Sequence, residues 1–446
     1  MAGTPPANRP SPEADSPTSD ERGASLSALN RREATRELFH NRSFRLLWAG
    51  QLLSQIGDQC LLVAVITLLS RLSSSPIAML IPALSIAIPQ IVFGLVGGVV
   101  ADRWNRKRTM IWSDLIRGCI VLAVLLVRRS GDLWILYLVA ACLALVGVFF
   151  YPARNAAIPT LVPPDLLISA NSFIQGSYII AMILGPAVAG VMVELWAPGV
   201  IIFDSFTFFV SALVIAVIYI PPIAAGPAAV AAGNSVWEDL KAGLKFIVHS
   251  RAMRMVLLIT AVATLGIGAI VLLAIPHLKR QIEASGIEYG IAMSMLGVGS
   301  VWGGVMVNRL SRRLSTNTIV GGMLMLAGVA IIAFAFAPNY TVVLVSITIT
   351  GMCVVMARGA LDTIAQALSP DEMRGRVLAA VNLIVVTATA VAEGFSALLG
   401  HFLGIQVVFA GAGILTVLAG IAATAVLRGA ARLVRARIAI GITHNL

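Results

Sequence analysis

Gly98-Val-Val-Ala-Asp102-Arg103-Trp104-Asn105-Arg106-Lys107-Arg108 decides the fold, because a degenerate copy recurs as Gly304-Val-Met-Val-Asn308-Arg309-Leu310-Ser311-Arg312-Arg313. Asp102 and Asn308 are 206 positions apart (308 − 102), and Pro164-Asp165 and Pro370-Asp371 share that offset (370 − 164). Each copy lies between long apolar runs. A duplication of that size in a chain of apolar helices points to a transporter built from two similar halves.

Working outward, the chain is 58% hydrophobic and 12% charged, a balance that soluble domains do not carry. In lipid every backbone polar group must be paired within its own segment, so apolar runs of about 18 residues or more read as spanning helices. Twelve are expected, at 45–70, 77–101, 110–128, 133–154, 168–193, 199–221, 255–276, 288–307, 317–337, 340–365, 377–400 and 405–427. The first follows a long polar stretch and is too long for a cleaved signal peptide, so it is expected to remain as a span. The fold class is therefore all-α membrane protein, with two six-helix bundles.

The formal charge of +11 raises the question of nucleic acid, but the positions of the charges argue against it. With the N-terminus inside, Arg31, Arg32, Arg36, Arg42, Arg45, the 103–108 turn, Lys241, Lys245, Arg251, Arg254, Arg309, Arg312, Arg313, Arg374, Arg376 and the tail from Arg428 fall on one face. The other face carries only Arg71, Arg128, Arg129, Lys279 and Arg280. This is the positive-inside asymmetry; it puts both termini in the cytoplasm and the chain in the inner or plasma membrane. Cys60, Cys119, Cys142 and Cys353 are dispersed in apolar runs, the histidines are scattered, and no GxxxxGK[ST] motif occurs. Neither a cofactor nor a metal is expected, and uphill movement must draw on an ion gradient.

The expected organisation is a disordered N-terminus with a possible surface helix (1–44, the helix at 25–40), a first bundle (45–221), a linker (222–253), a second bundle (254–429) and a basic tail (430–446). Val236, Leu240, Leu244 and Ile247 recur at helical spacing, which predicts an amphipathic helix on the cytoplasmic surface.

In the 98–108 turn, Gly98 allows two helix backbones to approach. Asp102 ends the second span, where the helix dipole disfavours an anion, so it needs a partner such as Arg103, Arg106 or Arg154. A cluster of this kind can hold the two halves in one state and break in the other. The alternative is a topological anchor with an incidental acid.

The turn resembles the signature of the major facilitator superfamily, Gly-x-x-x-Asp-Arg/Lys-x-Gly-x-Arg/Lys-Arg/Lys. Further stretches are similar to its drug-efflux members, in particular macrolide-efflux and enterobactin-exporter-like proteins. They are Phe44-Arg-Leu-Leu-Trp48-Ala-Gly50-Gln51, Gly57-Asp58, Tyr151-Pro-Ala-Arg154, Leu161-Val-Pro with Ala170-Asn171, Gly185-Pro186, Phe203-Asp204 and Asp371-Glu-Met-Arg-Gly375-Arg376-Val377. The resemblance covers roughly residues 40–430. Asn105 stands where the signature has glycine; asparagine tolerates a left-handed backbone best among other residues, so the turn is expected to survive. Asn308 replaces the acid in the second copy.

Asp58 falls near the middle of the first span, where burial disfavours a charge, making it a candidate proton carrier. Gln55 and Gln59 are its neighbours. Glu393, deep in the eleventh span, is a second candidate for proton coupling or cation recognition. For both acids a permanent inter-helix hydrogen bond is the competing reading. A structural role is favoured for Asp204, and simple pairing for Asp114 with Arg117 and for Arg358 with Asp362. Gly185, Pro186 and Gly190 lie on the fifth span; in the antiporter branch the resemblance ties a Gly-Pro motif there to exchange, against mere packing.

The sequence thus predicts a monomeric secondary transporter, not an enzyme. It would export hydrophobic or amphipathic small molecules of drug, macrolide or siderophore type by proton antiport, with protons, substrate and membrane lipids as its partners. The alternatives are lipid or lysolipid translocation, proton symport, or, from another class, a receptor or membrane enzyme. No catalytic constellation and no large extramembrane domain favours either of the last two.

Overall fold

The computed structural model describes residues 35–73, 77–221, 236–311, 313–370 and 373–427. Residues 1–34, the 222–235 part of the linker, Arg312, Asp371 and the tail from 428 lie outside the described residues, and with them the expected disordered terminus and most of the expected helix at 25–40. The described residues form helices and short turns, with no strand among them. In chain order the helices are α1 (Arg42–Leu72), α2 (Ile77–Arg103), α3 (Arg106–Leu122), α4 (Leu133–Leu161), α5 (Leu167–Val217), α6 (Val236–His249), α7 (Arg251–Gln281), α8 (Gly286–Ser311), α9 (Thr316–Ala335), α10 (Tyr340–Leu368), α11 (Arg374–Leu403) and α12 (Ile405–Val426).

Ten of the described helical stretches are long and apolar enough to cross a membrane, and one of them, Pro164–Val217, has 54 residues. Drawn straight it would run about 80 Å at 1.5 Å per residue, far more than the roughly 30 Å of a hydrocarbon core. It does not run straight: Trp196 has φ −164 and ψ 90. Pro198 supplies the cause, since it lacks an N–H and its ring collides with the carbonyl four residues earlier. The break leaves two arms, α5a (residues 167–195) and α5b (residues 197–217), each long enough to cross once. With these arms and α2, whose apolar stretch is Leu80–Gly94, the helices accord with twelve crossings. The predicted linker helix is present as α6, which packs on α11.

Helix ends follow from side-chain caps. Asn41 accepts from the N–H of Phe44 at 3.1 Å, and Asn339 caps α10 in the same way. Asn105 differs from expectation. Its φ is −67, not left-handed, and its carboxamide accepts from the N–H of Arg108 at 3.1 Å. The turn survives because asparagine satisfies an orphan donor at the start of α3, a different solution from the backbone freedom that glycine would bring.

Packing within each group of helices relies on small residues, as expected where lipid offers no hydrophobic drive for helix association. Gly328 and Gly413 bring the α9 and α12 backbones into contact, as do Gly321 and Gly420; Gly299, Gly303 and Gly351 do so for α8 and α10. Helix α1 packs along α5, and α2 along α4, while α7 packs against α11 and α12. The two groups meet chiefly through α5 with α8 and α2 with α11.

Candidate functional site: a cavity between the two helix groups

Where α1, α2, α3, α4 and α5b face α7 and α11, a cavity of about 500 Å³ remains, within the usual size of a small-molecule site. Its walls are mainly aliphatic, with Leu61, Val65 and Ile66 of α1, Leu136 and Leu143 of α4, and Leu272 of α7 among them. Five polar side chains reach it: Asp58, Gln90, Arg117, Tyr151 and Glu393. Asp58 lies 16 residues after Arg42 in α1, about 24 Å along the helix. Glu393 comes from the other group of helices, with its Cγ beside Gly268 of α7. The structure therefore brings the two predicted acids, 335 residues apart (393 − 58), to one cavity.

Behind Asp58 lies a buried ionic cluster. Asp114 and Arg117 of α3 pair directly, 0% and 4% exposed. The Arg117 guanidinium sits 4.1 Å from the Phe150 ring centroid and 4.6 Å from that of Phe208, so two aromatic faces hold the cation in place. Asp204 of α5b is 0% exposed and packs against Gly57: a Cβ built there would lie 2.5 Å from Asp204 Oδ1. The expected pairing of Asp114 with Arg117 is present, and the structure adds its place behind Asp58. The helix begins at Arg106, placing Asp114 8 residues in (114 − 106). A cation inside the apolar run Trp112–Leu126 was the available signal.

Gln55 and Gln59 face α5a, outside the set that lines the cavity. Gln55 Nε2 donates to Gln51 O at 3.1 Å and reaches Ser177 Oγ at 3.5 Å; Gln59 abuts Gly185. Arg106 donates to Ala156 O at 2.8 Å, tying α3 to α4. Arg154 reaches Gln51 Oε1 at 3.5 Å and lies over the Tyr151 ring. Gly98, Asp102 and Arg103 end α2, and their side chains lie outside the described residues.

Gly190 and Pro186 of α5a meet α8 directly. A Cβ at Gly190 would lie 2.7 Å from Gly286 O and 3.2 Å from the Cα atoms of Ile287 and Gly290, while Gly290 lies against Pro186 O. Ser294 Oγ donates to Ile183 O at 2.6 Å, and Glu194 Oε1 accepts from Gly286 N at 2.6 Å. These contacts all fall in the part of α5a and α8 nearest the Trp196 break. Toward the opposite, basic end, a Cβ at Gly176 or Gly304 would meet nothing within 4 Å.

Residues 35–434 match the model of the family described as transmembrane secretion effector. The chain is 26% identical over 407 residues to the uncharacterised MFS-type transporter YfiS of Bacillus subtilis, covering 86% of this chain and 93% of that protein. It is 24% identical to macrolide efflux protein A of Streptococcus pyogenes, over 81% of this chain and 90% of that one. Its fold is similar to that of an inward-facing, unoccupied bacterial homologue of the human lysosomal transporter Spinster, with a TM-score of 0.70 at 14% identity over 88% of this chain and 96% of that one. An all-helical fold, a cavity walled by both helix groups and a family match along nearly the whole chain agree: the protein belongs to the transmembrane secretion effector family of major facilitator transporters.

Proposed function

We propose that the protein exports hydrophobic or amphipathic small molecules across the cell membrane in exchange for protons, by alternating access. The observation that carries this reading is the apolar cavity of about 500 Å³ holding one carboxyl from each helix group, Asp58 and Glu393. An ionised carboxylate in such a wall is costly unless neutralised. Either a proton or a cationic or hydrogen-bond-donating group of the substrate relieves that cost. Two ligands that neutralise the same acid compete for it, and competition at a site opened alternately to each side is exchange. The efflux named for the Streptococcus relative supports the export direction.

With the basic end cytoplasmic, the α5a–α8 contacts would close the outer side of the cavity and leave its inner side to open. Asp102, with Arg103, Arg106 and Arg154, would tie the cytoplasmic ends together in the outward-facing state. Proteoliposomes under an imposed proton gradient test the proposal with a panel of macrolides, lipophilic dyes, siderophores and lysolipids. Wild type should accumulate substrate against its gradient, whereas Asp58→Asn should retain downhill flux and lose the pH-driven component. Unchanged pH dependence in Asp58→Asn would make that acid structural, and movement of lysolipid alone would replace drug export with lipid translocation.

A further inference from the structure

The buried cluster behind the cavity contains more acid than base. Asp58 of α1, Asp114 of α3 and Asp204 of α5b face one cation, Arg117. The other titratable neighbours are Tyr151 of α4, with Arg154 over its ring, and Cys60 of α1, whose thiol donates to Gly185 O. Arg117 pairs with Asp114 and is clamped between Phe150 and Phe208. That leaves Asp204.

Among the described residues no donor is aligned on either carboxyl oxygen of Asp204, and the Thr207 hydroxyl is the one side-chain group close enough to share a hydrogen bond with it. The hydroxyls beside it point elsewhere: Thr207 Oγ1 donates to the backbone carbonyl of Asp204 at 2.8 Å, and Ser205 Oγ to Gly118 O at 2.8 Å. What the niche offers is an acceptor. The hypothetical Cβ of Gly57 would lie 2.5 Å from both Asp204 Oδ1 and Thr207 Oγ1, so the carboxyl and the hydroxyl oxygen share one pocket under the residue that precedes Asp58. An ionised carboxylate without donors is what a buried site accommodates worst; a carboxylic acid whose O–H faces a hydroxyl lone pair fits it. An acid retained only to brace helices would be expected to bond a backbone or side-chain group of α1 or α3, and Asp204 bonds neither.

We infer that Asp204 carries a resident proton in this state and is a second proton-carrying residue of the transport cycle, working behind Asp58. The inference rests on the proposed proton exchange. When a cation occupies the cavity at Asp58, the negative potential on Asp204 falls. Its O–H bond then breaks, the proton passes to water in the cavity beside Asp58 and out on the open side, and the new carboxylate is balanced by Arg117 and the bound cation. When the cation departs, a proton returns to the same oxygen and the charge of the cluster is restored. Asp204 thus adds a proton to the exchange that Asp58 alone would not supply.

The test is infrared spectroscopy of the full-length protein in lipid vesicles with ¹³C-labelled aspartate, comparing exchange in H₂O and D₂O. Wild type should show a protonated-carboxyl band. Asp204→Asn should remove a component of it, and Asp58→Asn, which takes away the neighbouring negative charge, should move the titration of that component to lower pH. In the same vesicles Asp204→Asn should keep downhill flux and accumulate substrate to a lower ratio than wild type, with fewer protons moved per substrate. An Asp204→Asn spectrum identical to wild type overturns the resident proton, and a lost band with intact accumulation overturns the carrier role. If Asp204→Asn does not fold, Thr207→Val decides: loss of the acceptor must shift the Asp204 component, and an unshifted band refutes the assignment. Failure of the export reading is seen separately, as wild-type pH dependence of transport in Asp58→Asn while Asp204→Asn still removes the Asp204 component.

Discussion

The contact between α5a and α8 is where a single methyl group should move the whole transporter. A Cβ at Gly190 would come within 2.7 Å of Gly286 O and 3.2 Å of the Cα atoms of Ile287 and Gly290. All three neighbours are backbone, so relief requires the helices themselves to separate. Overpacking a well-packed contact by one methyl typically costs ~1–3 kcal/mol. In the proposed cycle that cost falls only on the state in which these helices touch, so Gly190→Ala should shift the population toward the opposite state by roughly 5–150-fold. Spin labels at Leu195 and Glu283, both exposed at that end of the two helices, in a background lacking the four native cysteines, would report the change as a longer distance. Gly176→Ala, where a Cβ meets nothing within 4 Å, is the control and should leave the distribution unchanged. An unaltered distance distribution in Gly190→Ala, with transport at wild-type rate, would refute the idea that this contact gates the cavity.

Two further outcomes follow from local geometry. Asn105→Ala removes the cap at the start of α3 and should destabilise the protein by about 0.5–2 kcal/mol, whereas Asn105→Gly, the residue of the family signature, should cost only a few tenths; thermal unfolding of the purified protein separates the two. In the α3–α4 connection, N–H donors of Arg128 and then Arg129 hold the half-buried Asp132 carboxyl below the ordinary aspartate range. A depressed native value contributes stability that is present above the unfolded value of about 3.9 and is lost as pH falls through the native one. Hydrogen exchange at Arg128 and Arg129 should therefore accelerate in that acid window in wild type, and should show no such acid dependence in Asp132→Asn.

Much of this fold was legible because bilayer spans impose a length and a composition that sequence displays directly. The gap between the runs ending at 193 and beginning at 199 marked the break at Trp196, and counting residues from the helix start put Asp58 and Glu393 well inside their helices, where both line one cavity. Polar side chains within helices were harder to assign. Gln55 and Gln59 flank Asp58 in sequence, yet the rotation of α1 turns them to α5a, and rotation is set by packing. The pairing of Asp114 with Arg117 was legible from their spacing, whereas its place behind Asp58 depends on how α1, α3 and α5b pack; Asn105 starts α3 inside the basic turn. The lodging of Asp204 under Gly57 is a contact between residues 147 positions apart (204 − 57), for which one sequence holds no signal. Asn105 shows the opposite case: the turn was foreseen, but by the wrong conformation.

The distribution of acids between the helix groups bears on why exchange would be compulsory. Asp58 belongs to the first group and Glu393 to the second, and both border a cavity of about 500 Å³. A sphere of that volume is about 10 Å across, and two carboxylates that far apart repel by roughly 1.7 kcal/mol at an effective dielectric of 20. Occluding the empty cavity would shorten that separation and expel water, raising the repulsion and the desolvation cost together. In the proposed cycle an empty, doubly ionised carrier therefore resists closure, whereas a proton on either acid or a cation between them removes the obstacle. The requirement comes from the walls and not from any one lining contact, so substrates of varied shape can satisfy it provided they bring neutralising charge. Replacing one acid by its amide relieves the repulsion permanently. On this reasoning Asp58→Asn loses its dependence on the proton gradient because the carrier can then return empty, and its binding pocket remains intact.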